Sequence, residues 1–200
     1  MKVEIVNADI CPVGLISYAA GTSHGKDDVS TRRVETCCKL GHFSVLEFAS
    51  FTARIDGVSR ACTHQLVRHR LASFVELSQR YTKIDTDEDW YVIPPEVKAS
   101  DRASINYEIA MAECSDRYNN LLKAGVRPED ARYVLPQSTK TSVTMRMNAR
   151  ELKHFLSLRL DKAAQWEIRE LAKRIETELM DVEGWRELID MMSKAKSDEA

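Results

Sequence analysis

Two long stretches of this chain repeat an apolar residue every three or four positions, and neither contains a glycine or a proline. Over residues 100–124 the stripe is Tyr107, Met111, Cys114, Tyr118 and Leu121, and in the last third it is Ile168, Leu171, Ile175, Leu179 and Val182. This spacing matches the turn of an α-helix, so each stretch has one face that must be covered. Breakers are scarce throughout, with 7 Gly and 5 Pro in 200 residues, which favours long helices. Gly125 suits the C-terminal end of the first of them, and Pro128 suits the opening turn of a short helix. Strand periods are fewer. Residues 1–6 alternate and end near Asn7-Ala8-Asp9. Residues 46–55 put Ala49, Phe51, Ala53 and Ile55 on one face, with Gly57 closing the strand and a helix following from Val58. Residues 138–147 put Val143, Met145 and Met147 on one side and Lys140, Ser142, Thr144 and Arg146 on the other. Helices are expected near 11–20 and 29–40, split by Gly21-Thr22-Ser23-His24-Gly25. The expected fold class is α+β: a single domain over 1–200, with a small, mostly antiparallel sheet packed against long helices and a frayed tail at 194–200.

Composition narrows the function. Hydrophobic residues are 44% and charged residues 30%, which excludes a disordered chain. Lys plus Arg is 29 against 31 Asp plus Glu, a formal net charge of -2, so binding to nucleic acid across a whole basic surface is not expected. A local basic pocket remains open. No apolar run reaches the roughly 20 residues of a membrane helix. The N-terminus lacks the apolar block and small-residue cleavage site of a signal peptide. Five cysteines without a C-x-x-C support neither a zinc ribbon nor a disulfide framework, so a cytoplasmic protein without a metal is expected.

The densest polar constellation is Gln65-Leu66-Val67-Arg68-His69-Arg70, followed by Glu76, Leu77, Ser78, Gln79, Arg80 and Tyr81. Successive helical residues diverge by about 100°. Arg68, His69 and Arg70 therefore suit a helix end, where several donors can converge on one anion. Guanidinium groups recognise phosphate bidentately. An extended stretch from Glu76 would aim Glu76, Ser78 and Arg80 to one side. The plain alternative is a solvated basic turn. Elsewhere, Asn148 suits the N-cap of a helix whose Leu152, Phe155, Leu156 and Leu158 read as core. Arg159 near its end can simply compensate the helix dipole. Arg132 lies in an apolar stretch and needs a partner. Trp166 and Trp185 read as core. No G-x-G-x-x-G, P-loop, H-E-x-x-H or G-x-S-x-G is present.

Arg68-His69-Arg70, seven residues and then Ser78 resembles the R-H-R-x7-S motif of flavin-dependent thymidylate synthases. The resemblance extends through Gly41-His42-Phe43-Ser44 with Glu47, Ala131-Arg132-Tyr133-Val134-Leu135-Pro136, Asn148-Ala149-Arg150, Phe155-Leu156, Leu158-Arg159 and Ala164-Gln165-Trp166-Glu167, in family order. It implies an α+β homotetramer with shared active sites, which methylates dUMP to dTMP. Methylenetetrahydrofolate supplies the carbon, and NADPH the hydride through FAD. Carried over by position, Ser44, Arg68, His69, Arg70, Glu76, Asn148, Ala149, Arg150 and His154 are expected to contact FAD. Gln65, Leu66, Val67, Arg68, Glu76, Leu77, Ser78, Gln79, Arg80, Arg132 and Arg159 are expected to contact dUMP. Arg159 takes the catalytic role, stabilising the uracil ring in its N3-ionised form. Ser78 takes a positioning role, because no histidine-based activating pair accompanies it. The resemblance also implies that reduced flavin delivers hydride to C6, with no enzyme-linked nucleotide.

The chain departs from the family pattern in places. Val45 and Phe48 stand where many members have Pro and His, His154 where some have Asn, and Ala163 where some have His. Cys62, three residues before Gln65, is the rival nucleophile. The other classes open at this point are a small RNA-binding module built on Arg68, Arg70, Arg80 and Tyr81, and a flavin reductase without methyl transfer.

Overall fold

In the computed structural model, which describes residues 1–87 and 89–195, the chain is α+β. Strand β1 (Lys2–Ala8) is followed by helices α1 (Pro12–Thr22) and α2 (Thr31–Leu40), a 3-10 helix over Phe43–Phe48 and strand β2 (Ser50–Ser59). Helix α3 (Arg60–Leu66) and strand β3 (Ser73–Glu76) come next, then α4 (Pro95–Lys98), α5 (Asp101–Lys123) and α6 (Pro128–Ala131). After a 3-10 turn over Arg132–Val134, strand β4 (Lys140–Asn148) leads into α7 (Ala149–Arg159), α8 (Trp166–Met180) and α9 (Trp185–Ser193). The four strands form one antiparallel sheet in the order β1-β2-β4-β3. Residues 196–200, most of the tail expected to fray, lie outside the described residues.

The chain divides into two compact units, one of residues 1–55, 65–75 and 144 onward, the other of 56–64 and 76–143. In the first, the alternation of β2 and β4 sets the core. Phe51, Ala53, Ile55, Met145 and Met147 are buried, while Thr144 and Arg146 face outward. Ile168, Leu171, Ile175 and Leu179 of α8 are fully buried, as the helical stripe requires; Val182 lies beyond the helix. Trp185 is edge-on to Phe51 at 5.6 Å, and its indole N–H donates to the Asp9 carbonyl oxygen. A buried tryptophan thus keeps its one polar atom satisfied. Trp166 is only half-buried.

The second unit is organised by α5. Met111 and Tyr118 are buried, and the Tyr118 hydroxyl accepts from the Ile84 N–H at 3.1 Å. Tyr107, Cys114 and Leu121 are half-buried, which makes this stripe shallower than its spacing implies. Pro128 occupies the first turn of α6 as expected.

Three boundaries differ from expectation. Strand β2 begins at Ser50, because residues 43–48 wind as a 3-10 helix. Gly57 does not end it: with φ of 75° it bends the strand, which continues to Ser59. The Ser59 hydroxyl then accepts from the Cys62 N–H, so α3 starts at Arg60 with a serine cap instead of at Val58. Finally, β3 stops at Glu76 and the chain turns, with Thr82 N–H donating to the Ser78 carbonyl oxygen. Glu76, Ser78 and Arg80 are therefore not aligned along one extended edge.

Candidate active site

Each compact unit carries part of the expected residue set. In the first unit, α7 begins where Asn148 accepts from the Glu151 N–H at 2.9 Å, a side-chain cap. Ala149 is fully buried and its N–H donates to the Ala49 carbonyl oxygen. These two expected flavin contacts are therefore engaged in the framework, with Asn148 half-buried. From this start, Glu151, Phe155 and Arg159 follow at intervals of four and share one helix face. His69 meets all three. Its Nδ1 is 2.9 Å from the Glu151 carboxylate, its ring packs edge-on to Phe155 at 4.9 Å, and its Nε2 is 3.1 Å from the Arg159 Nε. The His154 ring lies 5.7 Å away.

Those partners fix the histidine's state. Arginine Nε always carries a proton, so Nε2 must accept, and the Nδ1–H donates to the carboxylate. Burial is the main force that pushes the His69 pKa below its ordinary 6.5; the Arg159 and His154 charges act the same way, and Glu151 opposes them. His69 is neutral at pH 7. It is buried beside the exposed Arg68 and Arg70, not converging with them on an anion as the helix-end reading expects. Because the folded pKa is lowered, the unfolded chain binds the proton first as pH falls through 6.5, and this part of the stability is lost on the acid side. The stability gap between wild type and His69→Gln in urea is expected to narrow below that pH. A gap constant from about pH 8 to about pH 5 would contradict a neutral His69.

Beside this relay lies an open cavity of about 390 Å³, lined by Phe43, Arg68, Arg70, Leu71, Arg150, Glu151, Lys153 and His154. Four of these side chains are cationic, although the chain as a whole is at -2. Arg150 also pairs with Glu47, and the Lys153 ammonium sits 4.2 Å over the Phe43 ring. Ser44 is exposed on the neighbouring 3-10 helix. Gln65 is half-buried and its carbonyl oxygen faces the Arg159 Nη2 at 3.5 Å; Leu66 is fully buried and Val67 exposed. The ligating atoms of His69, Glu151 and His154 lie within 4.8 Å of one another. They do not suit a cation, since both His69 nitrogens have partners and the surroundings are positive.

The second unit holds the other part. A cavity of about 380 Å³ is lined by Arg60, His64, Gln79, Arg132, Tyr133, Leu135, Pro136 and Gln137. Glu76 accepts from the Thr63 hydroxyl at 3.0 Å and pairs with Arg60 at 3.2 Å. Arg132 finds its partner in the Glu129 carbonyl oxygen at 3.0 Å. Arg80 pairs with Glu129 and stacks on Tyr81, so the basic-aromatic patch that an RNA module requires is partly neutralised. Leu77 is exposed, with its N–H donating to the Ser142 carbonyl oxygen. The Ser78 hydroxyl accepts from the Arg80 N–H, and among the described residues no basic side chain contacts it. Cys62 is fully buried, which removes the rival thiol from any solvent-borne substrate.

Sequence reasoning does not single out Glu151, Lys153, Arg60 or His64. Glu151 had a signal, a charge on the apolar face of α7 one turn before Phe155. Arg60 and His64 had none, because their place depends on where α3 starts.

Known proteins match this chain in sequence and fold. The family model described as thymidylate synthase complementing protein matches residues 7–183. The chain is 40% identical over 203 residues to the flavin-dependent thymidylate synthase of Pyrococcus abyssi, covering 94% of this chain and 83% of that protein. A crystal structure of the flavin-dependent thymidylate synthase of Helicobacter pylori, complexed with FAD and dUMP, aligns with a TM-score of 0.75 at 26% identity, covering 90% of this chain and 94% of that one. A UMP/dUMP methylase from Streptomyces cacaoi has the same fold, with a TM-score of 0.82 at 24% identity over 94% of both chains. With 177 of its residues under the family model and a relative matched over most of both lengths, the chain belongs to the flavin-dependent thymidylate synthase family.

Proposed function

We propose that this protein converts dUMP to dTMP, with methylenetetrahydrofolate as carbon donor, NADPH as hydride source and FAD as its bound cofactor. The observation that carries this reading is the first unit's cavity, where Arg68, Arg70, Arg150 and Lys153 surround the apolar side chains of Phe43 and Leu71. That donor set fits a flavin dinucleotide: cations for the pyrophosphate, apolar and aromatic surface for the ring system. FAD, once reduced by NADPH, would supply hydride to the pyrimidine. The chain's own residues do the rest. Arg159 holds the uracil ring and its developing negative charge, a preorganised contact that costs no rearrangement during reaction. Gln79 and Arg132 bind nucleotide in the second unit's cavity, and Arg80 and Ser78, whose hydroxyl accepts from the Arg80 N–H, flank Gln79 in sequence.

A homotetramer with shared active sites goes with this reading. It is supported by apolar side chains left exposed, among them Ile105, Ile109, Val75 and Tyr133. A cytoplasmic location is supported by five cysteines that are all free. No helix among the described residues is long and apolar enough to cross a membrane.

Complementation of a thymidine-requiring bacterial strain tests the activity, and rescue is expected. Failure to rescue, with NADPH oxidation retained, would identify a flavin reductase instead. The purified protein is expected to be yellow; a colourless protein that takes up no added FAD overturns the reading. The nucleophile has its own test. With 5-fluoro-dUMP and methylenetetrahydrofolate, mass spectrometry of the denatured protein is expected to show no adduct, because Cys62 is buried and Ser78 lacks a base. A nucleotide mass on either residue would sink this mechanism.

A further inference from the structure

We infer that Glu151 is a positioning residue that fixes the catalytic arginine through His69, as a three-member relay from carboxylate to imidazole to guanidinium. The inference rests on the reading that Arg159 contacts the substrate base. Its geometry is independent of that reading. The Glu151 side chain is 4% exposed and the His69 side chain 2%, so neither is available to bulk water. The carboxylate accepts from Nδ1–H at 2.9 Å, and Nε2 accepts from the Arg159 Nε at 3.1 Å. From sequence, Asn148-x-x-Glu151 reads as the start of a capping box, in which the glutamate turns back to its own helix. Here Asn148 keeps its half, while a Glu151 oxygen is directed across to a residue 82 positions earlier.

The consequence is orientational. A neutral imidazole has two tautomers, and only the one with its proton on Nδ1 can accept from Arg159. The other would set an N–H against the arginine's Nε–H. Glu151, as an obligate acceptor when ionised, selects the first. Arg159 is then gripped along its Nε edge, with Nη2 turned toward the Gln65 carbonyl oxygen at 3.5 Å. Among the described residues the guanidinium has no other polar partner. Its remaining N–H groups are held in a fixed direction for a ligand. Phe155 and His154 border the ring from α7, and Glu151 and Arg159 are the charged groups that face it.

Two variants of the full-length protein test this. Glu151→Gln keeps an acceptor for Nδ1–H but can also present its amide, so it partly preserves the tautomer. Glu151→Leu keeps an apolar side chain of similar reach and offers no acceptor. Glu151→Gln is expected to lower kcat by about threefold and Glu151→Leu by about tenfold to a hundredfold, both measured with FAD saturating because Glu151 also lines the first unit's cavity. A purely structural role would not move the third readout, the 15N spectrum of His69. Nε2 is expected to be the unprotonated nitrogen in wild type and to gain proton occupancy in Glu151→Leu. Wild-type kcat in Glu151→Leu, or an unchanged His69 tautomer in that variant, overturns the relay. Equal kcat losses in both variants, with FAD saturating, also overturn it. A wild-type protein that forms no dTMP overturns the proposed function, while the tautomer measurement still decides the relay.

Discussion

Replacing Arg159 with alanine is expected to lower dTMP formation by about a hundredfold to a thousandfold while leaving the protein yellow, since removing one preorganised donor at a developing charge typically costs that much. The two halves of this expectation come from different places in the structure. The loss follows from the position of Arg159 in the last turn of α7, held at Nε by His69 and, among the described residues, by no carboxylate. An arginine paired with a carboxylate would offer a substrate much less of its charge. The retention of flavin follows from the cavity lined by Arg68, Arg70, Arg150 and Lys153, which Arg159 does not line. Stability is a separate matter. The alanine variant leaves the buried His69 Nε2 without its donor, a cost of about 1–3 kcal/mol. Single-turnover assays at a temperature where the variant is fully folded separate that cost from the catalytic one. A folded but colourless Arg159→Ala protein would place the arginine in the flavin pocket, and undiminished dTMP formation would remove it from catalysis.

The sequence carries much of this fold because burial leaves periodic marks. Phe51, Ala53 and Ile55 alternate because β2 has one covered face, and Ile168, Leu171, Ile175 and Leu179 recur because α8 does. Such patterns are local. The features that escape them depend on partners distant in sequence or on backbone conformations that residue type does not announce. Gly57 reads as a strand end, yet its left-handed backbone is accommodated inside β2 and the Ser59 cap delays the helix. His69 reads as one of three donors converging on an anion. Its burial follows from Glu151 and Arg159, which lie 82 and 90 positions later. Arg68, Arg70, Arg150 and His154 were legible as a group only through the family resemblance; the structure brings them to the lining of one cavity. Ala149 is fully buried at the start of α7. It is carried over as a flavin contact, and its N–H is bonded to the Ala49 carbonyl oxygen.

The last expectation concerns the residue that joins core to site. Phe155 is fully buried and packs edge-on against His69, so it belongs to the hydrophobic core and to the relay together. Phe155→Ala removes a buried aromatic ring and leaves a cavity that the surrounding helices can only partly close, at a cost of about 3–5 kcal/mol. Urea unfolding is the direct measurement. The midpoint is expected to fall by that cost divided by the denaturant slope, with the slope unchanged because the surface exposed on unfolding hardly alters. A second effect separates Phe155 from an ordinary core residue. With the ring gone, His69 keeps its two hydrogen bonds but loses the aromatic edge that fixes its plane, and the Arg159 Nε follows it. Turnover at a temperature where the variant is folded is therefore expected to fall as well. Leu171→Ala serves as the control, being equally buried but on α8, not on the helix that carries Glu151 and Arg159, and it should lose stability with turnover kept. Equal turnover in the two folded variants would confine Phe155 to the core, and a loss of unfolding free energy in Phe155→Ala below about 1 kcal/mol would show that the site collapses around the missing ring.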